Sequence, residues 1–363
     1  MKISVLGATT FIGKNIVENL KNIRDGKNRT RPNLSVSAIL LNEAKDADVV
    51  IMLPGSDVKS ISGYSGKVIY ISTLLGSEDE KSLPHNSLIY RMPEIVGKWQ
   101  EPKDGIAYLC HAIANDEEYV VESRLDTVDV LFIDDFISEI LDALDGKPHR
   151  CDFPAAGEPS SDPTAPYDGK TPVPNEKGAF CYSPMMCSTT IGNVIDHLES
   201  FNCLNTTLIV PEMPQGSISY KLYSMYLSYL PERKMSYPVN MSMDNRGVFT
   251  ELFKTVNNGQ VSINIARPGN IRGQHWHNTK WEIFVVVSGH GLIQEREIGT
   301  DRVLNFEVRG EEMRAVIMLP GYTHNIINLE KDRDLVTVMF ANEQFDQNHP
   351  DTFFEVVDEH LTL

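Results

Sequence analysis

Basic side chains are scarce in this chain: 33 Lys and Arg stand against 50 Asp and Glu, a formal net charge of −17 over 363 residues. So acidic a surface repels phosphate backbones and anionic headgroups, and neither nucleic acid nor a membrane surface is expected as a partner. Cysteine is scarce as well. The five residues Cys110, Cys151, Cys181, Cys187 and Cys203 are odd in number and form no Cys-x-x-Cys pair. That argues against a disulfide framework and for a cytoplasmic location. Long apolar runs are missing. The opening run Ile3 to Leu6 has the length of a short strand, far below that of a signal or spanning segment, so no export is expected. No internal repeat is found.

What is present suffices for two domains, with 41% hydrophobic residues to build their cores. Short apolar runs bounded by turn residues recur at Lys2 to Leu6, Leu34 to Leu41, Val49 to Leu53, Val68 to Ser72 and Ser87 to Arg91. A helical pattern lies between the first two, at Gly13 to Asn22. This spacing predicts strands of a parallel sheet covered on both faces, an α/β Rossmann-like doubly wound domain over 1–150. From about Lys147 to Met186 the composition turns to Pro, Gly, Ser and Asp, as in Ala155-Ala156-Gly157-Glu158-Pro159. Such a stretch costs folding entropy without apolar burial. With the helical pattern near Ile191 to Phe201 it forms a linker and helical segment over 151–235. From about Tyr237, β-branched and polar residues alternate between glycine turns, so 236–363 is expected to be an all-β barrel.

The densest chemistry lies in that last region. His275-Trp276-His277 and Glu282 are answered by Pro320-Gly321-Tyr322-Thr323-His324 and Asn328. Imidazole nitrogens and a carboxylate oxygen are ligands for zinc and similar divalent metals, and they converge once a β-barrel closes. At the other end, Gly7-Ala8-Thr9-Thr10-Phe11-Ile12-Gly13 follows the first strand and opens a helix, where a glycine turn places a pyrophosphate against helix amides. Thr10 replaces the middle glycine and narrows that approach. Arg29 and Arg31 are placed to meet a 2′-phosphate, favouring NADP(H), or to stand in a solvated loop.

The N-terminal motif, with Tyr90-Arg91-Met92-Pro93-Glu94-Ile95-Val96-Gly97-Lys98-Trp99, resembles an extended short-chain dehydrogenase/reductase domain. More narrowly, the chain resembles the bifunctional capsular polysaccharide enzymes that act on UDP-2-acetamido-2,6-dideoxy-4-hexuloses and join such a reductase to a C-terminal cupin. The resemblance implies NADP(H) held by Gly7, Thr9, Thr10, Phe11, Ile12 and Gly13. It also implies a Ser or Thr, a Tyr and a Lys that deliver a proton to the ketone. Ser72 and Thr73 stand where the hydroxyl belongs. The Tyr-x-x-x-Lys pair is missing: Leu74 to Asn86 holds no tyrosine and barely returns the chain to the next strand. Tyr64 and Lys67 have the wrong spacing and precede the strand. Reduction therefore lacks its proton donor.

Asp244-Asn245-Arg246-Gly247-Val248-Phe249-Thr250-Glu251 and Arg272-Gly273-Gln274-His275 resemble segments of dTDP-4-dehydrorhamnose 3,5-epimerases. The cupin pattern His-x-His-x(4)-Glu, then Gly-x-x-His-x-x-x-Asn, is matched by His275, His277, Glu282, Gly321, His324 and Asn328. The implied reaction inverts C3, or also C5, of a UDP-linked 4-keto-6-deoxy amino sugar through proton abstraction and return, alone or coupled to NADPH-dependent reduction of the C4 ketone. His277, Glu282 and His324 are the expected ligands of a metal, zinc for preference. His275 is either the fourth ligand or the base. Where the epimerases carry an acidic tyrosine this chain has Phe340, so Tyr322 and Lys254 are the candidate donors. Arg91, Arg246 and Arg272 are candidate substrate contacts, the last two for the diphosphate. Trp276 and Trp281 are core or sugar-stacking residues, and a homodimer is expected. Two other readings stay open: a decayed sugar-nucleotide-binding or scaffold protein, and an iron dioxygenase using the same ligand set.

Overall fold

The apolar runs of the first half pair side by side. Strands β1 (Lys2–Leu6), β2 (Ala38–Leu41), β3 (Val49–Met52), β4 (Lys67–Thr73) and β5 (Leu88–Met92) lie in the order β2-β1-β3-β4-β5. Every one of these pairings is parallel. Helix α1 (Phe11–Arg24) carries the chain from β1 to β2 and begins at Thr10, whose hydroxyl accepts from the Gly13 amide. Its buried Ile16, Leu20 and Ile23 repeat at helical spacing. They form one core with Ile3, Val5, Ile51, Ile69 and with Phe136 and Ile140 of a later helix, Ile133–Leu144.

The opposite face is covered differently. Leu6, Val50, Met52, Val68 and Tyr70 pack there against Ala44, Val58, Ile61, Tyr64 and Leu83, which belong to loops and the 3-10 turn Val58–Ile61, Leu83 directly following a second such turn, Glu78–Ser82. Among the described residues, α-helices of the doubly wound cover expected from the sequence pack on the face of Ile3, Val5, Ile51 and Ile69, and loops and 3-10 turns on the other. The crossovers 42–48, 53–66 and 74–87 hold at most one such turn each.

The coordinates are a computed structural model that describes residues 1–151, 178–257, 259–346 and 348–360. They divide into two units, Met1–Glu199 with Pro214–Pro231 and Ser200–Met213 with Glu232–Leu363. Most of the Pro- and Gly-rich stretch, including Ala155 to Pro163, lies outside the described residues. Strands β6 (Glu94–Val96) and β7 (Thr127–Phe132) precede it, and its flanks are strands themselves: β8 (Arg150–Cys151) and β9 (Phe180–Cys181) extend the first sheet beyond β5. β10 (Cys187–Thr190) pairs with β7.

The second unit is built of β-strands. β11 (Ile209–Val210), β12 (Met241–Asp244), β13 (Gly247–Thr255), β14 (Gln260–Ala266), β15 (Ile271–Trp276) and β16 (Glu282–Ser288) come first. β17 (His290–Glu297), β18 (Val303–Arg309), β19 (Ala315–Met318), β20 (Tyr322–Asn328), β21 (Leu335–Ala341) and β22 (Phe353–Phe354) follow. One sheet runs β11-β13-β14-β21-β16-β19 with β12 beside β13, and the other runs β18-β17-β20-β15-β22. Ala266, Phe284, Val286, Met318 and Leu335 of the first meet Ile293, Val308 and Ile326 of the second in a shared core. Alternate residues of β14 and β16 are buried, as a strand with one face on a core requires. Among the described residues no helix is long and apolar enough to cross a membrane.

Candidate functional site

A bulge in β15 sets the site. Gly273, at φ 95°, lies so close to β20 that a Cβ would stand 2.8 Å from the His324 carbonyl oxygen, and Gln274 follows in the left-handed region at φ 66°. The register against β20 shifts between Gly273 and His275 and brings His275 directly opposite His324. Their ring centroids are 4.7 Å apart, and that of His277 lies 5.0 Å from His275. Glu282, at the first position of β16, completes the group with its Oε2 3.2 Å from His324 Nε2 and 3.8 Å from His277 Nε2.

One donor atom from each of the four residues lies within 4.8 Å of all the others. Buried donors of this kind need partners, yet His277 Nε2, His324 Nε2 and Glu282 Oε2 have no hydrogen bond. A carboxylate and three imidazoles aimed at one point fit a divalent cation. Burial works to raise the Glu282 carboxyl, but His277, His324 and Lys280 outweigh it and hold the group well below its ordinary range. The His275 imidazole is pushed down to about 3 by burial and by the neighbouring His324, so it is neutral at cellular pH.

Asp351 braces this group and has no signal in the sequence patterns above. Its backbone carbonyl takes the hydrogen bond of His277 Nδ1, which turns Nε2 toward the other ligands. Its carboxylate accepts the amides of Asn278, Thr279 and Lys280 at 2.9, 2.8 and 3.1 Å, fixing the loop between His277 and Glu282. These bonds hold the Asp351 carboxyl far below the usual range although its partial burial acts the other way. Asn328, the last residue of the cupin pattern, turns away from the metal ligands: its amide donates to the carbonyls of Ala266 and Arg333.

His275 and Glu282 also line a cavity of about 330 Å³, together with Glu251, Gln260, Ser262, Asn264, Arg272 and Lys280. Arg272 is 14% exposed, with Nη1 3.2 Å from Asp244 Oδ1. Arg246 stands outside the cavity wall, half exposed and clamped to Asp244 by Nε and Nη2 at 3.1 and 2.7 Å. Lys254 reaches the cavity through Glu251, whose Oε2 lies 2.7 Å from its Nζ. Tyr322 shares its strand with His324 but is not part of the cavity wall. Met339 and Ala341 line the cavity, so Phe340 between them faces the other side of β21 and packs on Trp281 at 5.5 Å. Trp276 stacks on Phe353 at 4.7 Å, and neither tryptophan lines the cavity.

The α/β unit holds its candidates in internal bonds. At the glycine turn, the Gly7 and Ala8 amides donate to Asn42 Oδ1, and the Gly13 amide is taken by Thr10. A Cβ at Gly13 would lie 2.2 Å from the Gly7 carbonyl oxygen, so close helix-strand contact accounts for that glycine without a ligand. Thr9 and Thr10 are exposed, and Phe11 and Ile12 half-buried. Ser72 Oγ donates to Glu80 at 2.5 Å and Thr73 Oγ1 to the Gly76 carbonyl at 3.1 Å. Arg91, a candidate substrate contact, is 6% exposed and paired to Glu80 at 2.8 Å across the β4–β5 crossover. Tyr64 and Lys67 donate to the carbonyls of Ala47 and Ala143. Arg31 pairs with Asp142, and Arg29 donates to the Gly26 carbonyl. Ser72, Thr73, Tyr64 and Lys67 are thus each engaged in bonds within the unit.

Residues 242–353 match the family described as Polysaccharide biosynthesis C-terminal domain. Over 267 residues the chain is 31% identical to the UDP-2-acetamido-2,6-beta-L-arabino-hexul-4-ose reductase of Pseudomonas aeruginosa. That match covers 73% of this chain and 64% of the reductase, so the chain spans under two thirds of its length. The crystal structure of the capsular polysaccharide assembling protein CapF from Staphylococcus aureus superposes with a TM-score of 0.80 at 30% identity, covering 98% of this chain and 100% of that one. CapF with the inhibitor 3-isopropenyl-tropolone superposes with a TM-score of 0.81 at 31% identity over the same shares. An alignment end to end at this level of identity means that the chain belongs to the family of capsular polysaccharide biosynthesis proteins that contains CapF.

Proposed function

We propose that the chain is an enzyme that epimerises C3 of a UDP-linked 2-acetamido-2,6-dideoxy-4-hexulose in polysaccharide biosynthesis. The observation that carries this reading is the group of His275, His277, Glu282 and His324 at the wall of a cavity lined by polar side chains. The relative from Pseudomonas aeruginosa is named for a hexul-4-ose, a sugar whose ketone makes the neighbouring C–H acidic enough to exchange. Within this family we read the two units as a reduced Rossmann-type domain and a cupin jelly roll.

In this reading all four residues hold a divalent ion, zinc for preference, and His275 is a ligand and not the base. Its position between His277 and His324, with ring distances of 5.0 and 4.7 Å, supports that assignment. A bound ion of this class supplies Lewis acidity toward a ketone oxygen. Glu251, on the cavity wall and held by Lys254 Nζ at 2.7 Å, is the base that takes the C3 proton, and inversion requires the proton to return from the opposite face of the sugar. Arg272, on the cavity wall, binds the diphosphate, for which its planar fork of donors is suited. Tyr322 and Arg246 take no part in the chemistry.

We infer further that the ketone is not reduced by this chain. Ser72, Thr73 and Arg91 are occupied by internal bonds, and the Tyr-x-x-x-Lys pair is missing, so NADP(H) has no proton relay to work with. We also propose a homodimer. Strand β12 is exposed along its whole length and pairs only with β13 among the described residues, so its outer edge is open to a second copy. Light scattering at twice 40.8 kDa supports that association, and a monomer at micromolar concentration contradicts it. The reaction is tested by proton NMR in D2O: deuterium is expected at C3 of the keto sugar, with no consumption of NADPH. A fully metallated protein that exchanges nothing moves the reading to a binding or scaffold role.

A further inference from the structure

Residues 351–357 cross the metal group as a strap and reach each of its four ligands or their neighbours. The Asp351 carbonyl receives His277 Nδ1, and the Asp351 carboxylate holds the Lys280 amide two residues before Glu282. Phe354 lies opposite His275 in the ladder of β15 and β22, and the Glu355 carbonyl accepts the hydroxyl of Thr323, the neighbour of His324. The strap also grips the bulge of β15. The Glu355 amide donates to the Gln274 carbonyl at 3.0 Å and the Val357 amide to Gln274 Oε1 at 2.8 Å, which holds Gln274 in its left-handed conformation beside His275. Thr352, between the Asp351 clamp and β22, lines the cavity.

Little apolar burial keeps the strap in place. Phe353 and Phe354 are 41% and 81% exposed, and Val357 is the one buried residue of 351–360. A segment with few buried contacts opens locally at low cost, so its polar bonds decide whether it docks. The anchor at its far end is Arg296 of β17. Arg296 Nε donates to the Val357 carbonyl, and Nη2 to the Val356 carbonyl and Glu355 Oε1, each at 2.8 Å. None of these bonds reaches a metal ligand. We propose that the strap is a latch coupled to the ion: metal binding docks residues 351–357 and so brings Thr352 into the cavity wall, and Arg296 is a positioning residue that acts on the metal through the strap. Three imidazoles and a carboxylate crowded at one point are held there by the ion, and its loss frees them to turn and to break the register on which the strap is seated. Coupling is reciprocal, so the factor by which the ion protects the strap is the factor by which the docked strap strengthens ion binding. This rests on the metal site of the reading above and gives the ion a second task beside Lewis acidity, the assembly of the substrate wall.

Hydrogen-exchange mass spectrometry on the full chain, stripped with a chelator and reloaded with zinc alone, tests the latch apart from turnover. Peptides spanning 351–357 are expected to exchange about tenfold faster in the stripped protein and to regain protection with zinc, while peptides of β14 and β21 do not change. Arg296→Met should loosen the strap in the zinc-loaded protein and weaken zinc binding, measured against a chromophoric chelator, by about tenfold. Arg296→Lys, which keeps the charge and loses the fork of donors, should fall between. Equal strap exchange with and without zinc overturns the proposal. So does faster exchange that spreads equally to β14 and β21, or a loosened strap in Arg296→Met with the parent's zinc affinity. A parent protein that takes up no zinc overturns the metal site and the latch together. Failure of the epimerase reading alone shows elsewhere, as no deuterium at C3 from a protein whose strap still responds to zinc.

Discussion

Replacing Asp351 with alanine removes the carboxylate that ties down the loop between two metal ligands and leaves in place the backbone carbonyl that receives His277 Nδ1. The carboxylate accepts amides from Asn278, Thr279 and Lys280 at 2.9, 2.8 and 3.1 Å, and the Asn278 side chain at 2.9 Å. Bonds to a charged acceptor contribute about 1.5–3 kcal/mol each when buried. Asp351 is partly exposed and its bonds act as a unit, so we expect about 2 kcal/mol from the whole clamp. Loosening the supports of metal ligands weakens binding roughly tenfold to hundredfold. Competition with a chromophoric chelator at neutral pH measures that loss directly, and Asp351→Asn, which keeps an acceptor but no charge, should fall between. The clamp also has a pH signature. Because the folded carboxyl titrates far below its ordinary value, its stabilisation is fully present above about pH 4 and is lost as the pH falls below that toward the lowered folded value. Asp351→Ala protein should therefore show a flatter loss of melting temperature under acid. A variant that holds metal as tightly as the parent, with the parent's acid response, refutes the clamp.

Three further outcomes are expected. His324→Ala and Glu282→Gln should each lower metal content measured by plasma mass spectrometry, and full retention with normal turnover would remove the site. Gly13→Ala should destabilise the α/β unit by about 2–4 kcal/mol, since its methyl would stand 2.2 Å from the Gly7 carbonyl oxygen, and an unchanged melting curve would contradict that packing. Arg91→Met leaves the Glu80 carboxylate, 9% exposed, without its cation and should cost about 3–5 kcal/mol in thermal unfolding. Its binding of UDP-sugars should match the parent's, and a selective loss of binding would restore Arg91 as a substrate contact.

The sheet was legible where residue type and spacing agree. Val and Ile runs such as Val49–Met52 are buried at every position, as a strand covered on both faces must be. The short interval after Thr73 already announces a crossover without a catalytic helix, and the single 3-10 turn Glu78–Ser82 fills it. Strands β8 and β9 were not legible, because two residues each have no period to read. In the site, the donor pattern singles out four residues that the fold brings within 4.8 Å. Alternation along β21 explains why Phe340 leaves the cavity without a hydroxyl: a side chain at that position faces away whatever its identity. Asp351 was hidden because it acts through a carbonyl and through amides far away in the chain, which no residue pattern encodes. The pairing of Arg91 with Glu80 was likewise hidden, because only the fold brings the two side chains together.

The central claim is tested most directly by following C3 of a UDP-2-acetamido-2,6-dideoxy-4-hexulose by proton NMR in D2O, with protein that is metal-loaded, chelator-stripped and reloaded. The account predicts loss of the C3 proton signal with the loaded protein, persistence of the signal with the stripped one, and recovery of exchange on reloading. Exchange that survives complete removal of the metal, or no exchange by fully loaded protein, would contradict it.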